Sequence, residues 1–381
     1  MHILLSAGEV SGDMHASKVI QSMRDIDPAL SFCGIAGEYM QEAGCEPLAT
    51  VQELNVMGFG DVIRAIPRIR KIEKLVLSWA EENKPEVAIL VDYPGFNMRL
   101  GRQLRQMGVP VLQYIAPKLW SWGKQRSRRL SLSQDRLACI LPFEPEWFAG
   151  VGIQASYVGN PCVHSCSKGW TRKNFCQMFQ FEDHRPIVAL LPGSRPGELR
   201  RHVPLLTSVL KELRGLLPQL QFVVSKAAGV NESKLSALTK YGAKLIDRSA
   251  PGFALPVDAA VAVSGTATLE LALWNVPTVL IYRSSPAHIT LGRWFATVKH
   301  VGLANIIMGD CSVMPELIQK QCTVANILEQ LLPLIQSGEV IAGQKQVFKE
   351  LRSLLGEKDP AKEVANLALS LAGPQVRPIR L

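Results

Sequence analysis

The chain is 381 residues long, carries a formal net charge of +9 at pH 7, and is 47% hydrophobic and 20% charged. This composition excludes a disordered protein, and the length predicts two domains of about 150 to 200 residues each. No uncharged run reaches the roughly 18 residues that a transmembrane helix requires. The net positive charge indicates an anionic partner, which could be nucleic acid, a phospholipid surface or a phosphorylated substrate.

Short apolar runs alternate with longer amphipathic segments, a pattern that predicts parallel sheets with crossover helices. In the first half the predicted strands are 2–6, 31–36, 87–92, 110–115 and 138–141. In the second half they are 187–191, 220–225, 243–246, 259–263 and 278–282. We therefore predict an α/β protein with two Rossmann-like domains facing each other across a cleft, and with ligands outside the carboxyl ends of the strands.

Residues 158–176 separate the two series and are rich in turn-forming and basic residues, which is typical of an interdomain connection. We place the boundary there, with an N-terminal domain at 1–165 and a C-terminal domain at 166–357. A helix at about 358–381 is predicted to pack back on the N-terminal domain.

The eight cysteines show neither paired CxxC spacing nor accompanying histidines. They are Cys33, Cys45, Cys139, Cys162, Cys166, Cys176, Cys311 and Cys322. The start of the chain also lacks the basic segment of a signal peptide. Together these features predict reduced thiols in the cytoplasm rather than a disulfide framework or a zinc site.

The sequence AGEVSGD, at 7–13, joins the first predicted strand to a helix. Its outline is that of a phosphate-binding βα turn, but it carries Glu9 and Asp13, whose negative charges would repel a phosphate. From these residues alone the ligand of the turn stays open.

A turn in the second half suits a phosphate better. The sequence LLPGSR ends a buried-type strand, and the helix that follows it opens beside Ser194 and Arg195. Backbone N–H groups and a guanidinium at a helix start predict a diphosphate site. The structural alternative is a βα turn whose arginine is a solvated surface charge.

A second such turn, in the sequence SGTATLE, strengthens the nucleotide prediction. Ser264, Gly265, Thr266 and Thr268 are small or carry hydroxyls, so a phosphate could approach the backbone closely. Glu270 could accept hydrogen bonds from both ribose hydroxyls. The structural alternative for Glu270 is a carboxylate that complements the helix dipole.

Cofactor motifs are not found in the sequence. The GxG at 58–60 has no third glycine, and no glycine-rich loop is followed by GKS or GKT. The one DxD, at 25–27, precedes Pro28, where aspartate is commonly a turn residue. The sequence therefore predicts neither a hydride-transfer cofactor nor a metal.

Eight motifs resemble, in the same order, those of the lipid-A-disaccharide synthase family, and they cover most of residues 3–310. They are AGEVSGD, ELNVMGFGDV, VDYPGFN, YIAPKLWSW, LPFE, VGNP, LLPGSR and SGTATLE. The resemblance implies an inverting, metal-independent glycosyltransferase of the GT-B type that uses no cofactor. It would join UDP-2,3-diacylglucosamine to 2,3-diacylglucosamine 1-phosphate, with a β-1,6-linked disaccharide 1-phosphate and UDP as products.

Such a transfer needs a base for the acceptor hydroxyl and a stabiliser for the leaving diphosphate. Asp92 is the predicted base, because it ends a strand before a Pro-Gly turn and matches the aspartate implicated in the family. Gly95 stands where some relatives carry a second aspartate, which concentrates the base role on Asp92. Asn97, in the same motif, is predicted to bind substrate, and Asn305 matches a family asparagine implicated in the active site. Arg195 is predicted to act on the diphosphate.

The same resemblance gives the acidic first turn a ligand. Carboxylates accept hydrogen bonds from sugar hydroxyls, so Glu9 and Asp13 are predicted to bind a sugar together with Ser11 and Gly12. The first domain would then handle sugar and lipid, and the second domain would hold the nucleotide.

Residues 61–79 form a basic amphipathic segment. On periodicity alone its apolar positions favour a crossover helix packed on the sheet, with Pro67 as a kink or a fresh start. Acylated substrates favour a second role, in which the helix lies among the headgroups of the inner leaflet. We therefore predict peripheral attachment to the inner face of the cytoplasmic membrane. Nucleic acid is not needed as a partner, and a homodimer is left open.

Alternatives stay open at this point. Another UDP-sugar enzyme of the GT-B type, an epimerase or a transferase, would share the two domains. A non-enzymatic basic lipid-binding protein would not need Asp92, Arg195 and Glu270 to act together. Within the enzyme hypothesis, His15 and His288 are rival bases.

Overall fold

The computed structural model describes residues 1–54, 59–121, 123–166, 170–248, 254–284 and 298–373, and the side chains of 59–64 are outside that description. His288 therefore lies outside the described residues, as do the side chains of Val62 and Ile63. The chain divides into two compact units. The N-terminal unit is Met1–Pro161 with Glu357–Leu381, and the C-terminal unit is Cys162–Gly356.

The N-terminal unit is built on a parallel seven-stranded sheet in the order β3-β2-β1-β4-β5-β6-β7. Its strands are β1 (His2–Ala7), β2 (Ser31–Ala36), β3 (Cys45–Thr50), β4 (Val87–Val91), β5 (Val111–Tyr114), β6 (Arg136–Cys139) and β7 (Ala155–Tyr157). The central strands β1 and β4 are nearly continuous apolar runs buried on both faces. Such strands are typical of a parallel sheet that helices cover on both sides.

Helices cover both faces of this sheet. They are α1 (Val10–Ile26), α2 (Glu38–Glu42), α3 (Val51–Leu54), α4 (Phe59–Asn83), α5 (Pro94–Gln106), α6 (Ser127–Ser131) and α7 (Glu144–Ala149). Alternating residues of β1 point into two cores. Leu5 belongs to the core that contains Ile20 of α1, and Leu4 belongs to the core that contains Val76 of α4 and Leu100 of α5.

The C-terminal unit has a parallel six-stranded sheet in the order β10-β9-β8-β11-β12-β13. Its strands are β8 (Ile187–Leu191), β9 (Gln221–Lys226), β10 (Lys244–Asp247), β11 (Ala259–Val263), β12 (Thr278–Tyr282) and β13 (Glu316–Ile318). In both sheets the strand order reverses beside the first strand of the unit, and ligands of doubly wound folds bind at the carboxyl ends of strands at such a point.

The described helices of this unit are short except for two. They are α8 (Pro161–Ser165), α9 (Arg172–Phe179), α10 (Pro196–Leu216), α11 (Ser236–Lys240), α12 (Thr266–Leu273), α13 (Leu303–Ile307), α14 (Val324–Leu331), α15 (Pro333–Gln336) and α16 (Gly338–Leu355). Helix α8 begins one residue before the unit itself. Three 3-10 turns lie at Lys124–Arg126, Glu232–Leu235 and Gln319–Gln321.

The last helix, α17 (Pro360–Leu371), returns to the N-terminal unit and packs on α1. Asp359 caps it by accepting hydrogen bonds from the N–H groups of Ala361 and Lys362 at 3.0 and 3.4 Å. Its apolar face is buried in the core that contains Ile20; these residues are Val364, Ala365, Ala368 and Leu369. Gly159 lies at φ +96°, and a Cβ there would overlap the Lys358 carbonyl, so a glycine is required where the returning chain passes.

Helix α4 runs as one helix through Pro67, so the predicted fresh start at that proline is wrong. Ile72 and Val76 are buried in the core beneath it, and Ile69 packs against the same core. This half of the segment therefore has the crossover-helix role that periodicity favours. Within the described ranges, no helix combines the length and apolar character needed to cross a bilayer.

Three strands were not predicted, and all three are edge strands: β3, β7 and β13. β3 reads CEPLAT and contains a proline, while β7 and β13 have three residues each. Edge strands are partly exposed and are commonly short or interrupted. They therefore lack the continuous apolar run from which the ten other strands were predicted.

Candidate active site

Asp92 immediately follows β4 in an uncommon backbone conformation. Asp92 and Tyr93 have φ values of +48° and +46°, in the left-handed region that side-chain-bearing residues rarely occupy. The Asp92 N–H donates to the Tyr114 carbonyl at 2.8 Å. Its own carbonyl accepts from the Asn97 side-chain amide at 2.8 Å. Strained residues held by surrounding structure cluster at functional sites, which favours Asp92 as a site residue.

Asn97 acts on the backbone of Asp92 from a fully buried position. Its Nδ2 also donates to the Val91 carbonyl at 3.1 Å, and its Oδ1 accepts from the Ser6 hydroxyl at 2.8 Å. These contacts favour a positioning role for Asn97 over the substrate-binding role that the sequence suggested. Gln113 adds a weaker donor to the Asp92 carbonyl at 3.3 Å.

The surroundings of Asp92 make its carboxylate a stronger base. Burial raises the pKa of Asp92, and the negative charge of Glu9 raises it further, while the Tyr93 N–H and Lys118 act in the opposite direction. A carboxylate with a raised pKa holds a transferred proton more tightly. Glu9 therefore contributes to the site through its charge.

In the acidic first turn, two of the four predicted ligands are engaged within the protein. Asp13 is 2% exposed and accepts hydrogen bonds from the N–H groups of Gly37, Tyr39 and Met40 at 2.8, 3.1 and 3.2 Å. Those bonds cap the start of α2, so they favour a structural role for Asp13 over sugar binding. Gly12 is buried, and a Cβ there would lie 3.7 Å from Ala7 and Val91, so this position faces the sheet.

The other two residues of that turn remain available to a ligand, since Glu9 and Ser11 are exposed. Gly8 is needed beside them because a Cβ at that position would overlap the Tyr93 ring. This turn and the left-handed pair Asp92–Tyr93 therefore touch at the carboxyl edge of the sheet, where β1 and β4 are neighbours.

His15 is disfavoured as a rival base. Burial lowers the pKa of His15 to about 4, and the neighbouring Lys18 contributes in the same direction. Its ring lies edge-on to Tyr114 with centroids 6.3 Å apart. A histidine with so low a pKa is a weak base, and its contacts are those of a packed side chain.

Glu144 is a buried carboxyl group at the same sheet edge to which the sequence assigned no role. It accepts from the Trp120 indole N–H at 2.9 Å and from the Leu141 N–H at 3.0 Å, and so joins the segments after β5 and β6. Burial raises the pKa of Glu144 to about 7. Trp120 lies in the motif YIAPKLWSW and Glu144 in the motif LPFE. The signal that could have identified this contact is an acidic residue shortly after an apolar strand.

In the C-terminal unit, Arg195 follows β8 and its side chain is 82% exposed. The backbone N–H groups of Ser194 and Arg195 donate to Glu198 Oε2 at 3.0 and 3.2 Å. These two backbone donors are therefore already used, which corrects the expectation that they bind the diphosphate. The guanidinium, whose ion pair with Glu198 is 3.4 Å long, is the group that remains available.

The turn after β11 is open to solvent. Gly265 and Thr266 are exposed, and a Cβ at Gly265 would have no neighbour within 4 Å. Ser264 donates its hydroxyl to the Val301 carbonyl at 3.0 Å. Thr268 is fully buried and donates to the Gly265 carbonyl at 2.8 Å, so it shapes the turn and does not present its hydroxyl to a ligand.

Glu270, one turn further along α12, is partly buried and contacts the guanidinium of Arg248. The sequence identified Glu270 but not Arg248, which follows β10 outside any glycine-rich turn. Its position directly after a parallel strand is the signal that could have identified it.

Asn305 is fully buried and its side-chain amide has its hydrogen-bonding capacity filled. Nδ2 donates to the Met314 carbonyl at 2.9 Å and to Glu316 at 2.8 Å. Oδ1 accepts from the N–H groups of Val313 and Met314 at 3.0 and 2.8 Å. The catalytic role predicted for Asn305 is therefore disfavoured, and the residue instead ties α13 to the segment before β13.

The described residues contain no group of three or more His, Cys, Asp or Glu side chains placed to hold a metal ion. In the N-terminal unit, Asp92 and Glu9 can accept a proton or hydrogen bonds from hydroxyl groups. In the C-terminal unit, Arg195 can bind an anion, and Glu270, paired with Arg248, can accept from hydroxyl groups.

Comparison with known proteins gives a family and a fold. A family model described as lipid-A-disaccharide synthetase matches residues 3–369. A lipid-A-disaccharide synthase of Myxococcus xanthus is 37% identical over 375 residues, covering 98% of each chain. One from Nitrosococcus oceani is 35% identical over 358 residues, covering 93% of this chain and 92% of its own.

Solved structures similar to this chain share its fold at low sequence identity. MurG of Acinetobacter baumannii has a TM-score of 0.56 at 15% identity and covers 97% of this chain and 99% of its own. A UDP-GlcNAc 2-epimerase of Neisseria meningitidis has a TM-score of 0.60 at 12% identity and covers 97% and 98%. The predicted fold class, two Rossmann-like domains of the GT-B type, is confirmed.

Proposed function

The chain belongs to the lipid-A-disaccharide synthase family, and from that premise we propose how its residues divide the work of the reaction. It is a glycosyltransferase that joins 2,3-diacylglucosamine, from its UDP derivative, to the 6-hydroxyl of 2,3-diacylglucosamine 1-phosphate. The products are the β-1,6-linked disaccharide 1-phosphate and UDP. The predicted activity is confirmed, and the epimerase and the non-enzymatic lipid-binding protein are set aside, because relatives of 33–37% identity over nearly the whole chain are synthases.

Asp92 is the proposed general base. Its carboxylate takes the proton of the acceptor 6-hydroxyl as that oxygen bonds to the anomeric carbon. The bond from the anomeric carbon to the diphosphate breaks, and its electron pair leaves with UDP. The observation that carries this assignment is the left-handed pair Asp92–Tyr93, which holds the carboxylate beside β1 with a raised pKa.

The C-terminal unit is proposed to bind UDP. The exposed guanidinium of Arg195 would neutralise the diphosphate, and the open turn at Gly265 and Thr266 would add backbone donors at the start of α12. Glu270 would accept from the ribose hydroxyls. The positive charge of Arg195 would stabilise the negative charge of the leaving UDP, the role that a metal ion has in other transferases.

Replacing Asp92 by Asn tests the base. Protein in detergent with both acylated substrates and no added metal is expected to release UDP, and D92N to lower kcat by about a thousandfold. UDP affinity, measured by calorimetry, should stay within about threefold of the wild-type value, because the nucleotide is bound by the other unit. Asp25, an exposed aspartate at the end of α1, provides the matched control D25N. Wild-type turnover in D92N would remove Asp92 from the mechanism.

Helix α4 is proposed to attach the protein to the inner face of the cytoplasmic membrane. Beside the buried Ile72 and Val76, this helix carries four exposed basic residues, which are Arg68, Arg70, Lys71 and Lys74. Ile66 and Leu75, two apolar residues of the same helix, are 39% and 46% exposed. Basic side chains interleaved with apolar ones suit an anionic headgroup layer. A homodimer stays a prediction, and no nucleic acid partner is proposed.

Reversing two charges of this helix tests the attachment. The double variant R70E/K74E is expected to bind vesicles containing anionic phospholipid at least about tenfold more weakly, since each basic residue near such a surface contributes about 1 kcal/mol. The control K234E/K240E makes the same change of net charge on exposed lysines of the C-terminal unit. Equal loss in both variants, or none in either, would return α4 to a purely structural role.

A further inference from the structure

The end of β10 is fixed by the neighbouring strand β9. The Arg248 N–H donates to the Lys226 carbonyl at 3.0 Å. The Lys226 ammonium pairs with Asp247 at 2.8 Å and with Glu232 at 3.2 Å. Asp247 is therefore held towards β9, and the backbone position of Arg248 is set by the sheet.

The side chain of Arg248 extends in another direction and meets α12. Its guanidinium contacts the Glu270 carboxylate, and the two side chains are 21% and 19% exposed. Burial lowers the pKa of Arg248, because solvent stabilises a partly buried cation less than an exposed one. A partly buried guanidinium and a partly buried carboxylate stabilise each other, whereas either alone would be a poorly compensated charge.

Glu270 lies four residues after Thr266, so it is on the same face of α12 as the open turn. The negative charge of a carboxylate so close to a diphosphate site would by itself disfavour an anionic ligand. The guanidinium of Arg248 offsets that charge and restricts the rotation of the carboxylate. One carboxylate oxygen is thereby engaged by Arg248, and the other can accept from a ligand hydroxyl.

We propose that Arg248 is a positioning residue that holds the Glu270 carboxylate for the ribose of bound UDP, and so sets the preference of the site for ribose over 2′-deoxyribose. The inference rests on the proposed binding of UDP by the C-terminal unit. It goes beyond that proposal by assigning to Arg248 the selection of the sugar part of the nucleotide.

Calorimetric titration with UDP and with 2′-deoxy-UDP tests this role. Wild-type protein is expected to prefer UDP by about tenfold, the discrimination that one hydrogen bond to a charged acceptor supports. In Arg248→Met the preference should fall to within about threefold. Affinity for both nucleotides should fall because the charge of Glu270 is no longer offset, and UDP affinity should fall further because its ribose contact is lost as well. Glu270→Gln should reduce the preference similarly, and the double variant should lose no more than either single one.

Two further variants keep the test decisive. Arg248→Lys keeps the positive charge but not the planar fork, so it should give an intermediate preference, and it covers the case in which the Met variant fails to fold. Arg185→Met removes a different Arg–Glu pair of the same unit, 2.6 Å long and located before β8, and should leave the preference unchanged.

Unchanged discrimination in both Arg248 variants would overturn the inference. An equal loss of affinity for the two nucleotides would also overturn it, because Arg248 would then act on the diphosphate or the base. Failure of the wild-type protein to bind either nucleotide would instead overturn the proposed nucleotide site, and this inference with it.

Discussion

The candidate base of the N-terminal unit and the candidate phosphate ligand of the C-terminal unit are held in opposite ways. Asp92 sits in a left-handed backbone pair, and its carbonyl is bonded to the buried Asn97. Arg195 extends from the start of α10 with 82% of its side chain exposed. A group that takes a proton must be held in one geometry. A group that binds a mobile, charged ligand benefits instead from a long, exposed side chain that can follow the ligand. The difference predicts that changes around Asp92 alter stability and turnover together, while changes at Arg195 alter nucleotide binding and turnover but leave stability unchanged.

Removing the Asn97 side chain is expected to cause the largest combined loss of stability and turnover. N97A leaves the Ser6 hydroxyl without its buried partner and the Asp92 carbonyl with only the weaker Gln113 donor at 3.3 Å, so the free energy of unfolding should fall by about 2 to 4 kcal/mol. Turnover should fall by about a hundredfold, because the base loses its fixed position. Urea unfolding and steady-state kinetics measure both. N83A, which removes a single hydrogen bond to the Trp79 carbonyl at the end of α4, is the control. An N97A protein with normal kcat would show that the left-handed pair does not depend on this side chain.

Arg195 should show the opposite profile. R195A is expected to weaken UDP binding by about ten- to a hundredfold, as loss of a charge-assisted contact to a phosphate does. The free energy of unfolding should change by less than about 0.5 kcal/mol, because its pair with Glu198 is exposed. Calorimetry and urea unfolding report the two quantities, and R200A on the exposed face of α10 is the control. A destabilised R195A would erase the contrast between the units.

A smaller, pH-dependent effect should come from His202, which is buried in α10. Its Nδ1 donates to the Glu198 carbonyl at 2.8 Å and its Nε2 accepts from the Arg283 N–H at 2.9 Å, so the ring is neutral. Burial lowers the pKa of His202 below 6.5. Below pH 6.5 the unfolded chain therefore binds the proton more readily, and stability is lost as the pH falls towards the folded-state pKa, by at most about 1.4 kcal/mol per pH unit.

Unfolding titrations of H202Q and wild-type protein between pH 8 and pH 5 measure this contribution. H202Q should flatten the acid side of the wild-type profile. H15Q should do so as well, in the other unit, because the pKa of His15 is lowered to about 4 with the same sign. Parallel profiles for wild type and both variants would mean that neither ring is held neutral by the fold.

Sequence periodicity predicted the inner strands because their residues are buried on both faces and read as continuous apolar runs. The edge strands β3, β7 and β13 lack that pattern, since part of each is exposed. The sequence could predict which segments lie together at one edge of each sheet, because parallel strands bring their carboxyl ends to the same edge.

Which residues of those segments still have a polar atom available could not be predicted. Asp13 is bonded to backbone 24 to 27 residues away, and Asn97 to a hydroxyl 91 residues away. Asn305 fills its amide with partners eight to eleven residues away. Such pairings depend on the packing of distant segments, which a local pattern does not contain. Arg248 could not be predicted for the same reason, because its partner Glu270 lies in a different element.

The return of α17 to the first unit has a consequence for the order of synthesis. The core around Ile20 is filled only when Val364 and Leu369 have left the ribosome, whereas the C-terminal unit is one continuous stretch, Cys162–Gly356. The second unit to be translated can therefore complete its core before the first, although domains usually mature in the order in which they emerge. In a nascent chain stopped before Pro360, the unit that contains Asp92 would therefore expose an unfilled apolar surface on α1 until the last helix has been made.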